Sequence, residues 1–214
     1  MAKYFSVFPK VLYSFNDYKS GEYVTNILHR FKFDDALKNN TSAYFLYLIK
    51  ETETPEIIAA KYYDSPYRYW IILLMNDIVD PQYQWPLHTI SLHQYIDAKY
   101  MASSGANTAG SGLYWARSNI HSYYKNETIT IPNVGQDLYS YKIDANTYSD
   151  LIESYDAEVI LPDNTVITID TSKTTKSYYE YEVENNESKR EIKMLRKEFV
   201  APIENELRRI FANA

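Results

Sequence analysis

The sequence predicts an α+β fold: a strand–helix–helix core with an N-terminal extended arm, a β-rich insertion and a C-terminal helix. Three observations predict it. Between Tyr44 and Leu87 an apolar run is followed by two proline-led helix starts. After Leu113 the helical spacing gives way to short alternating runs separated by turn residues. Between Lys197 and Phe211, Phe199, Val200, Ile203, Leu207, Ile210 and Phe211 return at helical spacing.

Residues 1–43 make an arm and a helix. The arm is crowded with Tyr4, Phe5, Val7, Phe8, Val11, Leu12, Tyr13 and Phe15, and Pro9 within it favours extended chain over helix. Gly21 breaks the run. Val24 to Leu37 then carries Ile27, Leu28, Phe31 and Leu37 at roughly helical spacing. Such an arm either folds back on its own domain or lies in a groove of a neighbour. Its aromatic content, and the lack of a partner strand nearby in sequence, favour the neighbour.

Residues 44–101 hold the core. Tyr44–Ile49 is β-branched and aromatic, as a strand is. Thr54-Pro55-Glu56 supplies an N-cap hydroxyl, a proline at the first helical position and an acid in the first turn, leading into Ile57–Tyr62. Ser65-Pro66 repeats the device ahead of Tyr69–Met75, which ends near Asn76-Asp77, and Asp80-Pro81 enforces the stop. Ser91 and Gln94 form a capping box for a helix reaching about Tyr100, with Leu92, Tyr95, Ile96 and Tyr100 on one side.

Residues 102–112 hold three of the five glycines, as a flexible linker does. Residues 113–187 are expected to be a β-rich insertion. Leu113–Trp115, Ile120–Tyr124, Thr128–Ile131 and Leu138–Ile143 are its candidate strands, and Pro162-Asp163-Asn164 turns a hairpin between Val159–Leu161 and Val166–Ile169. Tyr178–Val183 and Lys189–Met194, around Asn185-Asn186, suggest a second hairpin. Residues 188–214 close the chain with a strand and a helix, which Pro202 kinks or delays.

A strand followed by two short helices joined by a tight turn resembles the start of a LysM unit. More specifically, Pro55, Ile58-Ala59, Tyr62-Tyr63, Tyr69-Trp70, Asn76, Asp80-Pro81 and Trp85-Pro86-Leu87 together resemble the baseplate wedge proteins of T-even-type contractile-tail phages, the wedge component with a LysM-like domain. The resemblance covers roughly Phe8 to Tyr100 and Lys189 to Phe211. It implies a structural virion protein of the tail baseplate, assembled in the host cytoplasm, that clamps or joins adjacent wedges without catalysis or cofactor. Its implied partners are other wedge and hub-proximal proteins, with multiple copies in a sixfold ring and no nucleic acid, membrane or small-molecule substrate. The contact residues expected on this basis are Tyr62, Tyr63, Tyr67, Tyr69 and Trp85, with Phe5, Phe8 and Tyr13 on the arm; Trp70, and about half of the aromatic cluster, would be core. One departure stands out. The second strand of a LysM unit is not evident, because Val79 to Ile90 contains Pro81, Trp85 and Pro86 instead. An open edge along Tyr44–Ile49 is therefore expected, ready for a strand from another chain. The alternative function is a LysM-type peptidoglycan-binding module.

Composition narrows the rest. A chain of 214 residues can bury a sizeable core. A net charge of −6 disfavours a general nucleic-acid coat, and the absence of cysteine excludes disulfide frameworks and thiolate zinc sites. No signal-peptide pattern is visible, and the apolar run Trp70–Met75 is far short of the roughly 18 residues of a membrane span. Tyrosine is unusually common at 23, against 22 for Lys and Arg combined, as suits wet-edged cores and protein contacts. Gly105–Gly112 resembles a phosphate loop but has Ser111 and Gly112 where Lys and Ser/Thr belong. The histidines His29, His88, His93 and His121 are scattered. Glu51, Glu53 and Glu56 suit a helix N-terminus, and nothing marks them as a glycosidase pair. Seven bases and five acids interleave over residues 187–209, as on a solvated helix face.

Overall fold

The computed structural model describes residues 4–14 and 21–212. The chain divides into two compact units, one of residues 1–88 with 187–214 and the other of residues 89–186.

The first unit is organised by two antiparallel strands from opposite ends of the chain. Strand β3, Tyr44–Leu48, pairs with β8, Glu191–Leu195, with Leu46 opposite Lys193. Two further bonds lengthen the ladder: Ile49 N–H to Arg190 O at 2.9 Å, and Arg196 N–H to Ala43 O at 2.9 Å. One edge of Tyr44–Ile49, expected to be open, is thus filled by the chain itself; among the described residues no strand pairs along the other. Lys189–Met194 was expected to pair in a hairpin with Tyr178–Val183; the strand forms, but its partner is β3.

Helices α2, Pro55–Tyr63, and α3, Tyr69–Met75, pack on this pair. Each starts as its sequence dictates. The Thr54 hydroxyl accepts from the Ile57 amide with Pro55 at the first position. The Ser65 hydroxyl accepts from Tyr67 ahead of a short 3-10 turn, Pro66–Arg68, that leads into α3. Asp80-Pro81 does more than stop a helix. Asp80 caps a third, very short helix, α4, Pro81–Gln84, by accepting from the Gln82 amide. Ile58, Ala59 and Tyr63 from α2, Trp70, Ile71, Ile72 and Met75 from α3, and Ile192, Met194 and Leu195 from β8 form one core.

Polar side chains fix β8 in place. Asn76, at the end of α3, donates to Lys193 O at 2.9 Å and accepts from Lys193 N at 2.7 Å, so it pairs with this strand as a neighbouring backbone would. The buried Tyr63 hydroxyl donates to Leu195 O at 2.9 Å. Arg190, ahead of β8, bridges Glu187 and Glu51. Helix α9, Val200–Ala212, follows a 3-10 turn at Lys197–Phe199. Pro202 falls in its first turn, where the missing amide costs no intrahelical bond. Val200, Leu207 and Phe211 are buried, and Arg68 binds Glu204 with both nitrogens at 2.7 and 3.1 Å.

The N-terminal segment folds in part onto this core. Phe8 is buried against Phe211, and Tyr4 stacks on Trp70. After Pro9, Lys10–Ser14 (β1) and Gly21–Thr25 (β2) form an antiparallel ribbon. The helical spacing of Val24 to Leu37 gives only one short helix, α1, Asp35–Asn39. The expected contribution of Phe15 lies outside the described residues.

The second unit begins with α5, Thr89–Ser104, and α6, Ser111–Ser118. Leu113–Trp115, expected as a strand, is therefore helical. The cause is tertiary: Asp97 on α5 accepts from the Gly110 and Leu113 amides and caps α6 from outside. Those backbone bonds hold its carboxyl below the usual carboxylate range. A four-stranded antiparallel sheet follows, made of β4 (Ile120–Ile131), β5 (Gly135–Ile143), β6 (Ser154–Ile160) and β7 (Val166–Ser177) in the order β5-β4-β7-β6. The two candidate strands at Ile120–Tyr124 and Thr128–Ile131 are one strand, and the hairpin at 162–164 forms as expected. The helix α7, Ala145–Asp150, joins β5 to β6. Tyr178–Glu187 is helix α8, correcting the strand expected at Tyr178–Val183. Ser177 and Glu180 form a capping box there, Glu180 accepting from the Ser177 amide at 2.7 Å and donating its own amide to the Ser177 hydroxyl at 3.2 Å.

Two substitutions test this architecture. Asn76→Ala leaves the Lys193 amide and carbonyl without their partner and is expected to lower stability by about 1–3 kcal/mol. Urea denaturation, with amide exchange at Lys193, measures it. Gly112 lies where α6 crosses α5, and a Cβ there would collide with the Asp97 carbonyl and sit 2.7 Å from the Met101 amide nitrogen. Gly112→Ala is expected to destabilise the second unit by roughly 1–3 kcal/mol, seen as faster exchange of its amides with those of the first unit unchanged.

Candidate assembly surface

The eight residues expected to contact other proteins divide sharply. Tyr63, Trp85 and Phe8 are buried. Trp85 also donates its indole N–H to Glu53 O at 2.9 Å, so it anchors the loop ahead of α2. These three rings hold the fold together and present no face to a partner in the folded chain. Trp70 is buried too, as expected.

Tyr62 and Tyr69 are half-buried. The Tyr62 ring lies against Phe45 and edge-on to Tyr47, with the Lys61 ammonium 5.5 Å from its centroid. Phe5, Tyr13 and Tyr67 are exposed. Phe5 meets Tyr4 and Phe8 at its inner edge and leaves the rest of its ring in solvent.

The β1–β2 ribbon carries the largest apolar exposure of the N-terminal region. Leu12 faces Tyr23 across the two strands and Val11 faces Val24. Leu12 is 60 % exposed, Tyr23 72 % and, just past the ribbon, Leu28 87 %. Sequence reasoning selected Tyr13 here but passed over Leu12, Tyr23, Ile27 and Leu28. The signal is Gly21, which marks the return of the chain into a second strand. Pairing with Ser14, it lies under the Leu12 side chain, where any Cβ would meet that residue at 2.7 Å. The outward side of β3 adds Leu46 and Leu48, both exposed.

The acids around α2 are occupied structurally. The Tyr47 hydroxyl donates to Glu53 at 2.6 Å and the Lys50 amide donates to the same oxygen at 3.0 Å. Burial alone would raise the Glu53 carboxyl; these bonds and Lys61 outweigh it and hold the group below its ordinary value. Glu51 pairs with Arg190 at 2.9 Å. Among the described residues no group of three or more His, Asp or Glu could hold a metal, and no helix is long and apolar enough to cross a membrane.

Comparison with known proteins gives the context for this surface. The family model described as base plate wedge protein 53 matches residues 3–210. The match therefore runs through residues 113–188 as well, which the sequence resemblance had left mostly outside. The baseplate wedge protein gp53 of Enterobacteria phage T4 is 29 % identical over 203 residues, covering 87 % of this chain and 83 % of that protein. Since the family match takes in both compact units, the chain belongs to the base plate wedge protein 53 family and is a structural component of the virion's tail baseplate.

Proposed function

We propose that the chain joins adjacent wedges of the baseplate by protein contacts alone, with several copies acting together in a sixfold ring and with no cofactor, nucleic acid, membrane or small-molecule substrate. The observation that carries this reading is the β1–β2 ribbon. A two-stranded ribbon is marginal in water by itself. This one exposes Val11, Leu12, Tyr13 and Tyr23, and both of its edges invite a further strand. Docked on a neighbouring wedge protein, it would remove that apolar area from water. Phe5, Tyr67 and the accessible parts of Tyr62 and Tyr69 extend the contact surface of the same unit. The core of β3, α2, α3 and β8 is then a LysM-like knob that gives the ribbon a rigid base. Clamping works by geometry: a component bound at one wedge meets the next at high effective concentration, so modest contacts hold the ring.

The alternative, a LysM-type peptidoglycan-binding module, has one observation in its favour. Its strand–helix–helix–strand order is completed by β8, so a missing strand no longer argues against it. Affinity for soluble peptidoglycan oligomers, lost on Tyr67→Ala, would support that alternative over clamping.

The double substitution Leu12→Thr with Tyr23→Thr, which keeps β propensity and sets no like charges opposite each other, separates the ribbon's role from folding. The chain is expected to keep its stability to within about 0.5 kcal/mol in urea denaturation, since both residues are exposed. Its incorporation into baseplates, measured as the fraction of chain co-sedimenting with assembled tails, is expected to collapse. Unchanged incorporation would remove the ribbon from the clamp.

A further inference from the structure

The two strands β3 and β8 have outer edges of opposite kind. The bonds at the ends of their ladder, Ile49 N–H to Arg190 O and Arg196 N–H to Ala43 O, fix its phase. In an antiparallel ladder, residues that bond the partner strand alternate with residues whose backbone groups point away. Phe45 and Tyr47 therefore bond β8, while the N–H and C=O groups of Tyr44, Leu46 and Leu48 point to the far side of β3. On β8 the outward-pointing residues are Glu191, Lys193 and Leu195.

Side chains seal the β8 edge. Asn76 takes both backbone groups of Lys193, and the Tyr63 hydroxyl takes the Leu195 carbonyl. A further strand could pair there only by displacing them. The β3 edge has no such cover: among the described residues, the outward backbone groups of Tyr44, Leu46 and Leu48 have no hydrogen-bond partner. The sequence does not blunt this edge either. Tyr44–Leu48 contains no charge and no proline, and it pairs with β8 without a bulge, so the usual devices that protect an exposed edge are missing.

The side chains above and below the edge are apolar. Leu46 is 59 % exposed and Leu48 66 % on the outward face. On the other face Phe45 and Tyr47 are half-buried beside Tyr62, with centroids 5.8 and 5.3 Å from its ring. Bare amides and carbonyls at every second residue, flanked by apolar side chains, match one ligand chemistry: the backbone of an extended polypeptide with uncharged side chains. Area decides where that polypeptide comes from. A five-residue strand is about 17 Å long, and beside β3 it buries on the order of 500 Å² over both partners, against roughly 1,200 Å² for a stable interface. Two free copies of the chain therefore do not hold each other by this edge alone. A strand of another protein already fixed nearby in the baseplate does, because its local concentration is high.

We propose that the free edge of β3 accepts a strand from a neighbouring baseplate protein of different sequence, an uncharged extended segment rich in Val, Ile or Thr, which enlarges the β3–β8 pair to three strands. Its backbone bonds Tyr44, Leu46 and Leu48. Its alternate side chains lie beside Leu46 and Leu48 on one face and beside Phe45 and Tyr47 on the other. This goes beyond the ribbon clamp and does not rest on it, since neither β1 nor β2 takes part.

Hydrogen exchange of the full chain, free and in assembled tails, tests this without an identified partner. In the free chain the Leu46 and Leu48 amides are expected to exchange fast and those of Phe45 and Tyr47 slowly. In tails, exchange at Leu46 and Leu48 is expected to slow by about tenfold or more. Leu46→Pro deletes an outward amide and no bond to β8, whereas Leu46→Thr keeps that amide. The proline variant is expected to lower the fraction of chain co-sedimenting with tails about tenfold, and the threonine variant about twofold. Leu48→Lys decides the matter if the proline variant misfolds. It keeps every bond to β8, stands opposite Glu191 as an attractive pair, and sets a charge where the added strand would lie, so incorporation is again expected to fall about tenfold. Equal exchange at Leu46 and Leu48 in the two states would overturn the proposal, as would Leu48→Lys incorporating like the unsubstituted chain. A dimer of the purified chain that sediments as such and dissociates on Leu48→Lys would assign the edge to a second copy instead.

Discussion

The antiparallel pairing of Tyr44–Leu48 with Glu191–Leu195 is the constraint on which the first unit depends. Without it, Ile192, Met194 and Leu195 leave the core, and the inward sides of Ile58, Tyr63 and Ile72 lose the surface they pack against. The pairing is also costly to reach. Closing a loop of this length costs several kcal/mol of chain entropy before any strand bond forms. Short local contacts cannot compensate for that. The compensation is specific and polar: Asn76 binds both backbone groups of Lys193, Tyr63 binds Leu195, and Arg190 ties the strand to Glu51 beside the end of β3.

The intervening unit is built in a way that eases this closure. Its entry helix α5 and exit helix α8 are bridged to each other. His93 meets Tyr179 at 3.0 Å, and the buried carboxylate of Glu182 accepts from both Lys99 and Tyr100 at 2.7 Å. Burial and the adjacent Glu182 charge push the Tyr100 hydroxyl well above its ordinary pKa, so it stays a donor at any working pH. Once this unit has folded, the long loop is shortened to the separation of two joined helices. That is the usual way a folded unit is tolerated inside another.

What was legible in the sequence follows the range of the interactions. The devices at Thr54-Pro55 and Ser65-Pro66 act over a few residues, and each starts a helix where it should. Asp80-Pro81 is the same device and starts one too, although its proline drew attention as a stop. Helix α8 was signalled by Ser177 and Glu180, but the β-favouring Tyr178, Tyr179, Tyr181 and Val183 obscured that signal. Helix α6 had no adequate local signal, because its cap comes from Asp97 on another helix. The partner of β3 was invisible for the same reason, being set by contacts far along the chain.

The candidate surface was legible only in kind. Tyrosine and tryptophan combine a large apolar ring with a polar tip, so the same residue types serve a core with a wet edge and a contact with another protein. Composition therefore marks the chain as rich in both uses without separating them. Tyr63 and Trp85 reach carbonyls inside the fold and become core; Tyr67 and Tyr13, from the same pool, face outward. Face assignment needs register, and register is a property of pairing. Once the pairings are known, the exposed apolar positions can be given a face: Leu12 and Tyr23 on the β1–β2 ribbon, and Leu46 and Leu48 on the outward side of β3. Leu12 and Tyr23 share one side of the ribbon only because Gly21 pairs with Ser14, which no single residue announces.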